Sequence, residues 1–372
     1  MPQLTDRELW LGALEHRYSG RFPTNLWAKP SVQVALSQHF GVRGFEQVKQ
    51  ILGINIPVRV DVGWSNPAWE SRTDPRMLGR DAVLAGKAYL FHDERTFEDE
   101  WGVVRRVGSD GKHVGWLRGP LSETEKPNLS LVRVERSREL RYDPHLGSQM
   151  RGLKDEGAFT SLVVDNPFKT AWYLRGMQNL LMDYYLNPGF VAELYDRLVD
   201  LELPRLKVAV EVGVDQIAIY GDFAMQDRLL VQPDMWRRFD KVALAKMIDF
   251  CRTVDPRVRI FIHSDGNILS VMDDLVFDLG IDTINPMQPE CMDLSRVKKK
   301  YGVQIVMCGG GSLQRTLPFG TVEDVRSEVR EIIDRYGQNG GLVIMPSNMV
   351  ETDVPVENVV AFLETARDYF PY

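Results

Sequence analysis

The chain has 372 residues, 44% of them apolar and 26% charged, enough to build a large core and too hydrophobic for a disordered segment. A formal net charge of −7 leaves no broad basic footprint for nucleic-acid phosphates. The start, MPQLTDRELWLGALEH, lacks the basic-then-apolar pattern of a secretory signal, and no run of about 18 uncharged apolar residues could span a bilayer, so a cytoplasmic location is expected.

Residues 1–57 read as helical. Thr5 and Glu8 match the S/T-x-x-E capping box ahead of Leu9, Leu11, Ala13 and Leu14, and residues 31–40 form a second amphipathic stretch closed by Gly41 at a helix C′ position. A first strand is predicted near 58–62. From 64 to 150 the texture changes to short strand-like segments, 103–107 and 114–117, separated by the turn-rich GSDGK, which reads as an antiparallel insertion. After residue 158 short apolar strands alternate with amphipathic helices. The strands are 161–164, 216–220, 260–263, 283–284, 304–307 and 342–345, and the helices include 190–212, 233–253 and 322–336. That alternation predicts an α/β fold with a parallel sheet. The count favours a TIM-type (β/α)8 barrel with N-terminal helices and an inserted antiparallel excursion, one strand being unassigned; an open doubly wound sheet is the alternative. No Ser/Gly-rich or Pro-rich linker interrupts the chain, so 1–372 reads as one domain.

The strands run into VDNP, GDFAMQ, HSDGN, NPMQPE, CGGGS and PSN, so polar side chains recur at their carboxyl ends, which share one face of a barrel. Catalytic candidates there are Asp222, His263, Asp265 and Glu290, each able to move a proton or bind a metal, against structural roles as helix cap, core histidine or rim carboxylate. Candidate substrate contacts are Asp61, Trp64, Asn166, Gln226, Asn285, Gln288 and Asn348. Trp69, Trp101 and Trp116 of the insertion are further candidates for an apolar wall. Gly266 gives the backbone beside His263 room, and Gly309 to Gly311 would allow close approach of a ligand beside Cys308. Cys308 is a candidate third metal ligand with His263 and Asp265, or else an inert wall residue. Cys251, Cys291 and Cys308 form no CxxC pair, so reduced thiols are expected, with Cys251 in a helix core.

Three segments resemble the uroporphyrinogen decarboxylase superfamily, which also holds the corrinoid-linked methyltransferases. AWYLRGMQNLLMDYYLNP resembles its LRG-x-x-NLL-x-D helix. GVDQIAIYGDFAMQ resembles its D-D-x-x-x-Q strand end, with Gly221 for the first Asp, Asp222 for the second and Gln226 for the Gln. LPFGTVEDVRSEVREII with PSNMVETDVPVENVVAF resembles its closing signature. The likeness covers most of 1–30 and 158–372. Tetrapyrrole decarboxylases carry a pair of arginines where this chain has RFPTNLWAKP, and a His-containing closing turn where it has Pro346, Ser347 and Asn348.

The methyltransferase branch carries H-x-C after one strand and another Cys after the last, together holding zinc. Here His263-Ser264-Asp265 keeps the first spacing, with Asn348 near the second position. The resemblance thus implies a barrel enzyme that demethylates a small methylated compound, such as a methoxylated aromatic, and passes the methyl to a corrinoid. Zinc or another divalent metal would assist at this oxygen-rich site. No D-x-H-x-x-G-like attachment segment is present, so the corrinoid would come on a partner protein. A cofactor-free decarboxylase or lyase, and a non-catalytic ligand-binding barrel, are the alternatives.

Overall fold

The structure, a computed structural model, describes residues 4–18, 20–65, 89–99, 101–108, 114–124, 129 and 139–371. Trp69 and most of the GSDGK segment lie outside the described residues. The first helix, Asp6–Leu14, begins as its capping box predicts. The Thr5 hydroxyl accepts from Glu8 N at 3.2 Å, and the Glu8 carboxylate takes Thr5 N at 2.8 Å. Helix Pro30–His39 ends before Gly41, whose φ of +64° is the left-handed conformation that closes a helix.

Strand β1 (Val58–Arg59) leads into the insertion. There β2 (Val62–Ser65) pairs antiparallel with β7 (Glu139–Tyr142), and β3 (Leu90–Phe91), β4 (Thr96–Glu98), β5 (Val104–Val107) and β6 (Val114–Arg118) form an antiparallel meander. The meander leans on helix Pro167–Arg175: Trp116 Nε1 donates to Tyr173 O at 2.8 Å, and the Arg175 guanidinium donates to Leu121 O and Thr124 O.

The remaining strands are β8 (Thr160–Asp165), β9 (Gln216–Tyr220), β10 (Arg259–His263), β11 (Thr283–Met287), β12 (Val306–Gly311) and β13 (Leu342–Pro346). With β1 they make a parallel seven-stranded sheet in the order β1-β8-β9-β10-β11-β12-β13. The sheet curls, and residues 23–25 fill the eighth place. Asn25 N donates to Ile344 O, Ile344 N to Pro23 O, and Asn55 N, just before β1, to Thr24 O at 2.6 Å. Three residues without an apolar run carry no strand signal, which is why this position was unassigned.

Two expected strands end too early. β11 runs on through Asn285 to Met287, and β12 starts at Val306 and takes in Gly309 to Gly311. The glycines are therefore strand residues, and what approaches them is the protein itself. A Cβ on Gly309 would lie 2.7 Å from Met287 N, and one on Gly311 would lie 2.5 Å from the Phe362 ring. Their lack of a side chain lets β11 and the closing helix Val356–Asp368 pack against β12.

Side chains alternate between two cores, as a strand period of two requires. Ile217, Ile219, Ile260, Ile262, Ile284, Met307, Leu342 and Ile344 face the helices, while Ala218, Phe261, Val306, Cys308, Val343 and Met345 fill the barrel. Trp10, stacked on Phe159 at 5.0 Å, belongs to the inner cluster. No helix among the described residues is long and apolar enough to cross a membrane.

Candidate active site

The same alternation decides what faces inward at the carboxyl ends. Tyr220, His263 and Asn285 stand side by side in register across β9, β10 and β11, one row above Ala218 and Phe261. His263 is buried, with Trp27 at 5.4 Å and Tyr220 at 4.9 Å between ring centroids. Its Nδ1 lies 2.7 Å from Asn285 Oδ1. Asn285 Nδ2 is committed to Cys308 O at 3.2 Å, so the amide oxygen faces the imidazole and Nδ1 carries the proton. The Nε2 lone pair is left pointing at Asp222, 3.6 Å away. Burial lowers the His263 pKa, Asp222 and Asn285 oppose that shift, and Lys169 adds to it, which favours the neutral ring.

Asp222 follows β9 through Gly221. A Cβ at Gly221 would lie 2.3 Å from Asn166 Oδ1, and Asn166 Nδ2 donates to Gly221 O, so the glycine lets the strand end pass the cap of helix Pro167–Arg175. Asp222 Oδ1 accepts from Asp265 N at 2.9 Å. Gly266, at φ +92°, fits where any Cβ would lie 2.4 Å from Met225 O, and its N–H donates to Gln288 Oε1 at 2.6 Å. These contacts fold the HSDG turn over the barrel mouth. Asp265 Oδ2 accepts from Asn348 Nδ2 at 2.5 Å, while its Oδ1 is buried without a hydrogen-bond partner. Burial, reinforced by Asp222, pushes the Asp265 pKa up to about 7.

One ligand atom from each of Asp222, His263 and Asp265 lies within 4.8 Å of the other two. Two carboxylates and a neutral imidazole at such distances repel or protonate unless a cation joins them. The unpartnered Asp265 oxygen and its raised pKa are what a divalent cation would relieve, so this donor set fits a metal. Lys169, ion-paired with Asp165 at 2.9 Å, also acts electrostatically on Asp222 and His263.

The other candidates divide. Asn285, Gln288 and Asn348 join the group through the bonds just given. Cys308 does not. Its thiol is fully buried in the inner core beneath Asn285, 3.4 Å from Met345 Sδ, and burial raises its pKa far above the ordinary thiol range. Asn166 caps its helix and braces Gly221. Gln226 is exposed and bonds Glu290 O and Gln314 rather than Asp222. Asp61 is exposed and paired with Arg141 at 2.9 Å. Trp64 sits opposite Leu140 in the β2–β7 ribbon, Trp101 packs on the main core, and Trp116 is held by helix Pro167–Arg175. Glu290 lies beyond Gln288, with its Oε1 accepting from the Ser312 hydroxyl. Trp27, Tyr220 and Lys169 were not among the candidates. The parity that places Phe261 and His263 inward also applies to Tyr220 and could have identified it.

A family model described as uroporphyrinogen decarboxylase (URO-D) matches residues 152–369. The uroporphyrinogen decarboxylase of Methylococcus capsulatus is 24% identical over 192 residues, 50% of this chain and 51% of that protein. This chain thus spans about half the length of that relative. The enzyme of the same name from Pseudoalteromonas translucida is 23% identical over 301 residues, 76% of this chain and 78% of that one. Among solved structures, a methyltransferase from Methanosarcina mazei superposes with a TM-score of 0.65 over 98% of both chains at 16% identity, which shows a shared fold. With more than half of its length matched by the family model, the chain belongs to the uroporphyrinogen decarboxylase family.

Proposed function

We propose that the chain is a methyltransferase component that removes the methyl group from a small methylated compound and passes it to a corrinoid carried by a partner protein. The observation that carries this reading is the convergence of Asp222, His263 and Asp265 at the barrel mouth. His263 and Asp265 keep the spacing at which the methyltransferase branch holds its metal. A divalent cation there would polarise the heteroatom that loses the methyl group.

The chain's own residues prepare that step. Asn285 fixes the imidazole so that Nε2, not Nδ1, faces the mouth. Asn348 and the Asp222–Asp265 backbone contact hold the second carboxylate. With a pKa near 7, metal-free Asp265 could instead hand a proton to the departing heteroatom. Trp27 and Tyr220 wall His263 and limit water.

Tetrapyrrole decarboxylation is less well supported. The only arginine in RFPTNLWAKP, Arg21, donates to Gly53 O and Asn55 Oδ1 instead of facing a polyanion. The test is zinc content by elemental analysis, followed by anaerobic methyl transfer from methylated ethers and amines to reduced cobalamin, read by absorbance. Zinc binding and methylcobalamin formation, both lost in His263→Ala, are expected. A protein that takes up no divalent metal yet releases CO2 from a carboxylated substrate would replace this reading with the decarboxylase.

A further inference from the structure

Beside the three metal-competent residues lies a cleft of about 390 Å³ whose walls include Gln288, Glu290, Gln314, Asn348, Glu351 and Asp353. Asn348 is shared: it lines the cleft and donates to Asp265. The Glu290 side chain is only 6% exposed. Its Oε1 accepts from the Ser312 hydroxyl, but Oε2 is buried without a hydrogen-bond partner. Arg315 does not relieve it, because its Nε lies 3.9 Å from Oε1 and its side chain is 68% exposed. Behind Glu290, Glu328 accepts from Ser312 N and Thr316 Oγ1, and burial together with Glu290 raises its pKa. A buried acceptor with no donor carries the full cost of its desolvation unless a ligand supplies one.

Among the amide groups of the cleft, Gln288 Oε1 accepts from Gly266 N, Asn348 Nδ2 donates to Asp265 Oδ2, Asn348 Oδ1 accepts from Met349 N, and Gln314 bonds Gln226. The acceptor left without a partner is Glu290 Oε2, with Asp353 adding negative charge at the exposed rim, where Glu351 is ion-paired with Lys29 at 3.6 Å. A methyl ether has no proton to give such a site. A protonated amine has both the N–H and the charge.

Resting on the methyltransferase reading above, we propose that this cleft is the subsite for a protonated N-methylated amine whose N–H donates to Glu290 Oε2, so that the methyl donor is a protonated secondary or tertiary amine rather than a methyl ether. Its proton, not a cation, activates the nitrogen, and as the methyl passes to the corrinoid the C–N electron pair returns to nitrogen and the amine leaves neutral. Glu290 is then the residue that sets specificity.

The test uses the zinc-treated full chain and isothermal titration with N-methylbenzylammonium and benzyl methyl ether, which share a shape and differ in the N–H and the charge. Wild type is expected to bind the amine at least about tenfold more tightly, since a site built to pair a donor rejects the analogue that lacks it. Glu290→Gln keeps an acceptor for Ser312 and should lose that preference, with ether affinity and zinc content unchanged. Equal affinity for the two probes in wild type, or a preference that survives in Glu290→Gln, would overturn the proposal. Should Glu290→Gln fail to fold, the wild-type pair alone decides. Amine binding without zinc uptake or methyl transfer would sink the methyltransferase reading and leave the ammonium subsite standing.

Discussion

Among the described residues two aspartates are pushed to a pKa of about 7, Asp265 at the barrel mouth and Asp240 between the outer helices. Burial is the main cause in both, yet their surroundings differ. Asp240 opens helix Asp240–Val254 and accepts from Tyr184 OH at 2.7 Å and Tyr195 OH at 3.3 Å, and the two phenols lie 2.5 Å apart. Asp265 has one oxygen held by Asn348 and the other with no partner, beside a second carboxylate and a neutral imidazole. A shifted pKa therefore reports burial in either place. The missing partner is what separates a place built for a ligand from a polar network that is complete in itself.

The sharpest way to break that comparison is His263→Ala. If the mouth holds a metal, zinc affinity should fall by more than about 100-fold, beyond the loss typical of outer-shell changes, because a ligand atom is gone. Urea unfolding of the metal-free protein should change little by comparison. Full zinc occupancy in this variant would remove the metal centre from the argument. Asn285→Ala should cost roughly 10- to 100-fold in zinc affinity, since Asn285 orients the ring without touching the ion. An unchanged affinity there would mean that the Nδ1 hydrogen bond does not set which nitrogen faces Asp222.

A smaller effect separates the two acids by pH. Each has a folded-state pKa raised from 3.8 to about 7, so each contributes stability that is fully present below the unfolded value and lost as pH rises through about 7. The metal-free protein should accordingly lose thermal stability between about pH 4 and pH 7 through both groups. Zinc should cancel the share of Asp265, because a ligating carboxylate is ionised already, and leave that of Asp240. Asp240→Asn should remove the part that zinc leaves. If zinc abolished the whole slope, the two sites would not be independent.

Much of this was legible in the sequence. The alternation after residue 158 gave the parallel strands, and polar residues at their ends gave Asp222, His263, Asp265, Asn285, Gln288 and Asn348, because strand parity and strand end are both local properties. Cys308 reads in the sequence as either a metal ligand or an inert wall residue, and the structure gives the second: its strand runs three residues further than its apolar run, which leaves the thiol in the barrel core. Residues 23–25 escaped because they complete the sheet through a few long-range hydrogen bonds. Trp27 and Lys169 escaped because they reach the mouth from outside the strands. No local pattern marks Tyr184, Tyr195 and Asp240 as partners, since they come from three helices and meet only on folding.

That helical network yields the smallest effect and the cleanest control, Tyr184→Phe. Phenylalanine keeps the ring that packs edge-on against Phe239 at 5.3 Å, so the change removes only the hydroxyl. Asp240 then loses its shorter hydrogen bond, and the expected destabilisation is about 1 kcal/mol in urea unfolding. The lost bond was one that lowers the Asp240 pKa, so the acid should titrate above 7 and its loss of stability should move to higher pH. Zinc content and turnover should match wild type, because every partner of this network lies among the outer helices. A Tyr184→Phe protein of unaltered stability that binds less zinc would show the two aspartates to be coupled, and a complete hydrogen-bond network would then no longer distinguish a structural acid from a functional one.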